Sequence, residues 1–294
     1  MHTNLRNQIS GMLFAAPWII GFLLFTLTPL AVSLGMSFTN YSLLSANPRF
    51  VGLDNYVRLT TDPLIAHSLK ITFLYAIISI PLQLLSALLL AMLINRPLVG
   101  MRLFRTALYM PTIIPIVSST LLWQQMLDVD FGLINYLISR LGLAPVTWLN
   151  QTPSIIASIT LIDLWRIGRT MMINLAGLIS IPTQYYESAQ IDGAGAFSRF
   201  IHITLPLLTP TIFLNLITGL IGAFKSFATV NVLTGGGPDN RSLFYMLYLY
   251  RNAFERYRLG YASAMSLLLF VIVAVLTVVV FRSSRRWVYY EGEN

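Results

Sequence analysis

The chain has 294 residues, 56% hydrophobic and only 10% charged, where a soluble domain of this length carries roughly 25% charged residues. That deficit, with a mean hydropathy of +0.70, excludes an ordinary soluble domain and points to a polytopic membrane protein. Cysteine is absent, which excludes disulfides and thiolate chemistry, and the net charge of +8 comes from basic residues that form no long cluster. The expected counter-charge is therefore the anionic headgroups of a lipid bilayer, with no nucleic acid.

Gly11 to Met36 form the first expected span, over about 11–36. An apolar stretch of about 24 residues makes about 36 Å of helix, enough to cross a bilayer with tilt. Arg6 precedes it, as in a signal peptide, but the run is too long for an h-region and no small-x-small site follows. A retained helix is expected. Ser37 to Lys70 is polar, with Asn47-Pro48 and Asp62-Pro63 as turn signals.

The second span is expected over about 71–94, followed by a short basic loop with Arg96, Arg102 and Arg105. The third covers about 107–127, bent by Pro111 and Pro115. A loop with Gly132, Gly142 and Pro145 leads to the fourth, about 154–179. The fifth covers about 205–230, and Thr234-Gly235-Gly236-Gly237-Pro238 is a turn that cannot be helix. The sixth runs over about 261–281, before a basic tail with Arg282, Arg285 and Arg286. Six spans put both termini on one side. Lys and Arg divide equally between the two faces, but those on the side of the termini cluster tightly beside span ends, which places both termini inside.

Polar residues inside the apolar runs are candidates for a solute path. The fourth span carries Asp163, Trp165, Arg166, Arg169 and Asn174, and Lys225 lies toward the outer end of the fifth. A charge in hydrocarbon costs at least ~2.5 kcal/mol unless it faces protein or water. Asp163 and Arg166, three apart, are placed to neutralise each other as a structural ion pair, and Lys225 is placed to snorkel. His2, His67 and His202 have no metal-ligand spacing, so no metal site is expected. No nucleophile–base set appears either, so no catalytic residues and no enzyme activity are expected. Lys70 and Lys225, the only lysines, follow Leu69 and Phe224 rather than the glycine of a phosphate-binding loop, so the chain should bind no cofactor.

Between the fourth and fifth spans lies a polar stretch, 182–206, with its own helical pattern. Thr183 is a plausible N-cap after Pro182, Gln184 to Asp192 read as a short helix, and Gly193 suits the left-handed residue that ends it. A second short helix is expected from about Ala196, with Phe197, Phe200 and Ile201 on one face. Glu187-Ser188-Ala189, then Gly193, then Ile203-x-Leu205-Pro206 resembles the cytoplasmic coupling loop of ABC importer membrane subunits. That family's pattern is Glu-Ala-Ala, three residues, Gly, nine residues, Ile-x-Leu-Pro, and only Ser188 departs from it. Asp192 lies within the same loop.

The likeness extends to Phe50-Val51-Gly52-Leu53-Asp54-Asn55-Tyr56, to Leu175-Ala176-Gly177-Leu178 through Ile181-Pro182, to Thr234–Pro238, and to Gly260-Tyr261-Ala262-Ser263-Ala264. These look like the carbohydrate branch, with maltose-type and glycerol-3-phosphate-type importers. The resemblance implies an all-α polytopic protein of about six transmembrane helices, with a cytoplasmic helix-turn-helix coupling loop, in the cell (inner or plasma) membrane. It also implies a second homologous membrane subunit, two ATPase subunits that bind ATP and magnesium, and an extracytoplasmic solute-binding protein. The cargo would be a sugar or oligosaccharide moved by alternating access. Two alternatives stay open: an anionic solute such as glycerol-3-phosphate, on account of Arg166, Arg169 and Lys225, and a self-sufficient secondary transporter with Asp163 as its ion-coupling group.

Overall fold

Inside hydrocarbon every backbone N–H and C=O must find a partner within the protein, so long apolar runs become helices. A computed structural model of the chain describes residues 12, 14–44, 47–96 and 99–289. His2, Arg6 and Gly11, the expected start of the first span, lie outside them. In chain order the helices are α1 (Phe14–Ser37), α2 (Asp54–Thr61), α3 (Pro63–Ile94), α4 (Met101–Ile113), α5 (Ile116–Met126), α6 (Leu133–Arg140), α7 (Thr152–Trp165), α8 (Gly168–Ser180), α9 (Thr183–Ile191), α10 (Ala196–Phe224), α11 (Ala228–Leu233), α12 (Tyr245–Tyr250) and α13 (Leu259–Ser284). Among the described residues there is no strand, only an isolated antiparallel bridge between Thr39 and Phe50.

Helices α1, α3, α10 and α13 are each long and apolar enough to cross a bilayer, and α4 with α5 form a fifth candidate bent by 98°. The bend falls at Ile114-Pro115, both extended, while Pro111 stays inside α4. The stretch expected as one fourth span is two helices, α7 and α8, parted at Arg166-Ile167. Arg166 caps α7, its N–H returning to the Ile162 and Asp163 carbonyls at 3.1 Å. The stretch expected as a fifth span also differs. α10 begins at Ala196, so the second short helix of the loop and the apolar run are one helix. A π turn at Phe200–Thr204, closed by Leu205 N–H on the Phe200 carbonyl, carries it past Pro206, whose ring and missing N–H bar a regular step. α10 then stops at Phe224, with Lys225 as its C-cap rather than a residue inside a span reaching 230.

The chain forms two compact units. The first holds Met1–Pro63 and Leu249–Phe270. In it, Asn55 of α2 donates through Nδ2 to the Ser37 and Thr39 carbonyls, both at 2.8 Å, and Ser37 Oγ lies 2.7 Å from Tyr56 OH. Gly260, in the first turn of α13, donates its N–H to the Tyr41 carbonyl at 2.9 Å. A Cβ there would run into the Thr39 carbonyl oxygen, so only glycine permits the approach. Next to it, Tyr261 OH donates to Asp62 Oδ2 at 2.8 Å, and the Arg58 guanidinium stands 4.6 Å above the Tyr261 ring. The sequence stretches 50–56 and 260–264 are thus two halves of one clasp.

The second unit holds Leu64–Tyr248 and Val271–Asn294. Its core brings Ala87 and Ala91 of α3 against Met171, Leu175 and Leu178 of α8 and Leu208 of α10. The two alanines keep the α3 surface low, so the larger side chains of α8 close over it. Tyr186, Ile203 and Leu205, from the stretch between 182 and 206, pack against this same core.

Candidate functional site

Two features of the second unit bear on function. The first is α9. It begins at Thr183, with Pro182 rather than Thr183 in the cap position and no side-chain cap bond. Its C-terminus is a Schellman motif: Ala194 N–H reaches the Ala189 carbonyl at 2.8 Å and Gly193 N–H the Gln190 carbonyl at 3.1 Å. Gly193 closes it with φ +79°, a conformation in which a side chain is strained.

The helix is tethered on one side and bare on the other. Tyr186 OH lies 2.9 Å from Thr204 Oγ1, joining α9 to the π turn of α10. Ile203 and Leu205 sit half-buried beside it, with Pro206 following, and Ala189 is half-buried. Glu187, Ser188, Asp192 and Gly193 are exposed, and so are the large apolar side chains of Ile191 (87%) and Phe197 (79%). A carboxylate flanked by bare apolar side chains on a rigid foot is suited to a protein partner.

The second feature is a cavity of about 390 Å³ among α3, α7, α8, α10 and the turn after α10. Of the residues singled out in the sequence, Asp163, Arg169 and Lys225 line it; Trp165, Arg166 and Asn174 do not. Asp163 does not pair with Arg166. Its Oδ2 accepts from Tyr75 OH and, at 3.4 Å, from Ser79 Oγ. Gln83 Nε2 donates to Ser79 Oγ at 2.7 Å, completing a chain of polar groups along α3.

Arg166 turns away, because its backbone leaves the helix at the break. Its Nη1 donates to the Ile114 carbonyl at 2.7 Å and approaches Ser119 Oγ at 2.9 Å, while Thr112 Oγ1 donates back to the Arg166 carbonyl at 3.2 Å. The guanidinium therefore ties the α7–α8 break to the α4–α5 break. Asn174 is buried and accepts from Asn215 Nδ2 at 2.8 Å, linking α8 to α10. Trp165 meets Trp123 edge-on with centroids 5.9 Å apart. Lys225 does not snorkel from within a helix; it caps α10 and stands on the cavity wall.

Sequence reasoning missed Tyr75, Ser79, Gln83 and Asn215. A signal existed for the first three. They fall at i, i+4 and i+8 of an otherwise apolar helix, which puts them in one polar stripe. Nothing local marks Asn215, whose partner lies 41 residues away.

Comparison with known proteins agrees with this architecture. The family described as "Binding-protein-dependent transport system inner membrane component" matches residues 72–288. The chain is 40% identical over 294 residues to "Probable ABC transporter permease protein YesP" of Bacillus subtilis strain 168, covering 98% of this chain and 94% of that protein. It is 34% identical over 295 residues to the trehalose/maltose transport system permease protein MalF of Thermococcus litoralis, covering 97% of this chain and 99% of that one. A chain from the crystal structure of a bacterial alginate ABC transporter, in complex with alginate pentasaccharide-bound periplasmic protein, superposes with a TM-score of 0.84 at 26% identity, covering 97% of each chain. With apolar helices for several crossings, and with this match over most of its length, the chain is a multi-pass membrane protein of the binding-protein-dependent transport system inner membrane component family, the permease subunits of ABC transporters.

Proposed function

We propose that this chain is the membrane-spanning subunit of an ATP-driven, binding-protein-dependent importer that passes a sugar or oligosaccharide by alternating access. The cargo class follows the trehalose/maltose relative and the alginate neighbour. Glycerol-3-phosphate transport and a self-sufficient secondary transporter are not favoured. The chain carries no Gly-Lys-Ser/Thr sequence, so ATP and magnesium belong to two separate ATPase subunits, and a second homologous membrane subunit faces this one. Both termini and the 182–206 stretch lie in the cytoplasm, and an extracytoplasmic solute-binding protein delivers the cargo on the other side.

The observation that carries the coupling role is the exposed Glu187 on α9, tethered through Tyr186 to the core at the foot of α8 and α10. A push on α9 moves those helices because a packed core transmits displacement. Glu187→Lys and Gly193→Asp should insert normally, since Glu187 is exposed and surface changes usually cost within about 0.5 kcal/mol. Both should lose transport through weaker docking or uncoupled hydrolysis. The test is co-purification of the ATPase with each variant and solute-stimulated hydrolysis in reconstituted vesicles. Wild-type docking, hydrolysis and uptake in both variants would overturn the reading.

A further inference from the structure

We infer that the cavity walled by Asp163, Arg169 and Lys225 receives a saccharide bearing a carboxylate; the inference rests on the importer reading above. Three basic side chains fall in or beside this region, and the structure sorts them. Arg166 is committed to the Ile114 carbonyl and Ser119. Arg169 and Lys225 remain on the cavity wall. Among the described residues the ion pairs are Arg241 with Asp239 and Arg251 with Glu255, so neither wall cation has a carboxylate within 4.0 Å.

Asp163 is the wall's acidic group, and it is engaged by Tyr75 and Ser79 rather than by either cation. A wall with two positive groups and one negative group carries a net charge of +1. Cations inside a membrane protein are costly and are kept where they face a partner or a path. A neutral sugar would give them hydroxyl acceptors but no opposite charge. A carboxylate supplies that charge, and arginine binds it in a two-pronged, charge-assisted geometry. The single net positive charge matches a monoanion better than a phosphate ester, which carries close to two negative charges at neutral pH. The rest of the wall, including Gln83, Thr170, Thr218 and Ser226, offers amide and hydroxyl groups to sugar hydroxyls. At about 390 Å³ the cavity is within the size range of small-molecule sites.

The test uses the assembled transporter in lipid nanodiscs and three probes: cellobiouronic acid, its neutral methyl ester, and cellobiose 6-phosphate. Binding is measured by calorimetry at low and high salt. The uronic acid should bind at least about tenfold tighter than the ester at low salt, with a smaller ratio at high salt. The ratio should fall toward one in Arg169→Gln and in Lys225→Met, and should survive in Arg169→Lys, which keeps the charge and controls for misfolding. Equal binding of acid and ester, an unchanged ratio in both neutral variants, or tighter binding of the phosphate overturns the inference while leaving the sugar-importer reading intact. Binding of none of the three probes counts against both.

Discussion

Arg166→Met tests the structural role of the residue that sequence reasoning placed on the solute path. Ile114 is extended, at ψ 133°, so its carbonyl leaves the helical ladder, and Arg166 Nη1 meets it at 2.7 Å and Ser119 Oγ at 2.9 Å. Hydrogen bonds from charged donors contribute about 1.5–3 kcal/mol each, and a carbonyl left unpaired costs a further ~1–3 kcal/mol. Removing the guanidinium also removes its own desolvation cost, so the net loss should be about 2–4 kcal/mol. That is roughly a 30- to 1,000-fold fall in the folded-to-unfolded ratio. Arg166→Lys should recover about half, because a compact ammonium reaches one acceptor better than two. The assay is thermal unfolding of the purified chain in detergent, alongside assembled yield in membranes. Wild-type unfolding and yield with uptake abolished would refute the reasoning and return Arg166 to the solute path.

Two further outcomes are expected. Asn174→Leu should cost about 1–2 kcal/mol by leaving the Asn215 amide buried and unpaired, whereas Asn174→Leu with Asn215→Leu should cost less than the sum of the single changes, since an interhelical bond of this kind averages about 0.6 kcal/mol; strict additivity in detergent unfolding would show that the 2.8 Å contact carries no coupling. Reporter fusions after Gly195 and after Asn294 should report cytoplasm and one at Gly236 the outside, and an outside signal at Gly195 would remove α9 from any coupling role.

The loop was legible because its signals are local. A glycine four positions beyond Ala189 ends α9 in the left-handed conformation, and polar residues interrupt two apolar runs there. The breaks in the spans were legible only in part. Pro115 announces the first; at the second, Asp163, Arg166 and Arg169 interrupt the apolar run, but polar residues within a run are read as one face of a continuous helix, and a sliding apolar pattern records what a helix is made of, not where its axis turns. The pairing of Asp163 with Arg166 failed for a related reason. Spacing along a helix supplies a partner at i+3, yet the acceptors of Arg166 are 52 and 47 residues away, and the hydroxyl on Asp163 is 88 residues away. Side chains in a bundle choose partners from neighbouring helices, and a linear reading ranks local pairs first. The same limit made Asn174 a path residue in the sequence and half of an amide pair in the fold.

The clasp around Gly260 and Tyr261 has a consequence for how the protein is made. Its bonds join Tyr41 and Asp62 to residues about two hundred positions later, the Tyr261–Asp62 pair being separated by 199. Chains are synthesised N-terminus first at about 5–20 residues per second. The first helix and its connector therefore wait some ten to forty seconds for the segment that fixes them. Until that segment leaves the ribosome, the order of the N-terminal unit is a debt held by the bilayer and the insertion machinery, and a stall anywhere before Gly260 leaves a chain that has entered the membrane without being locked there.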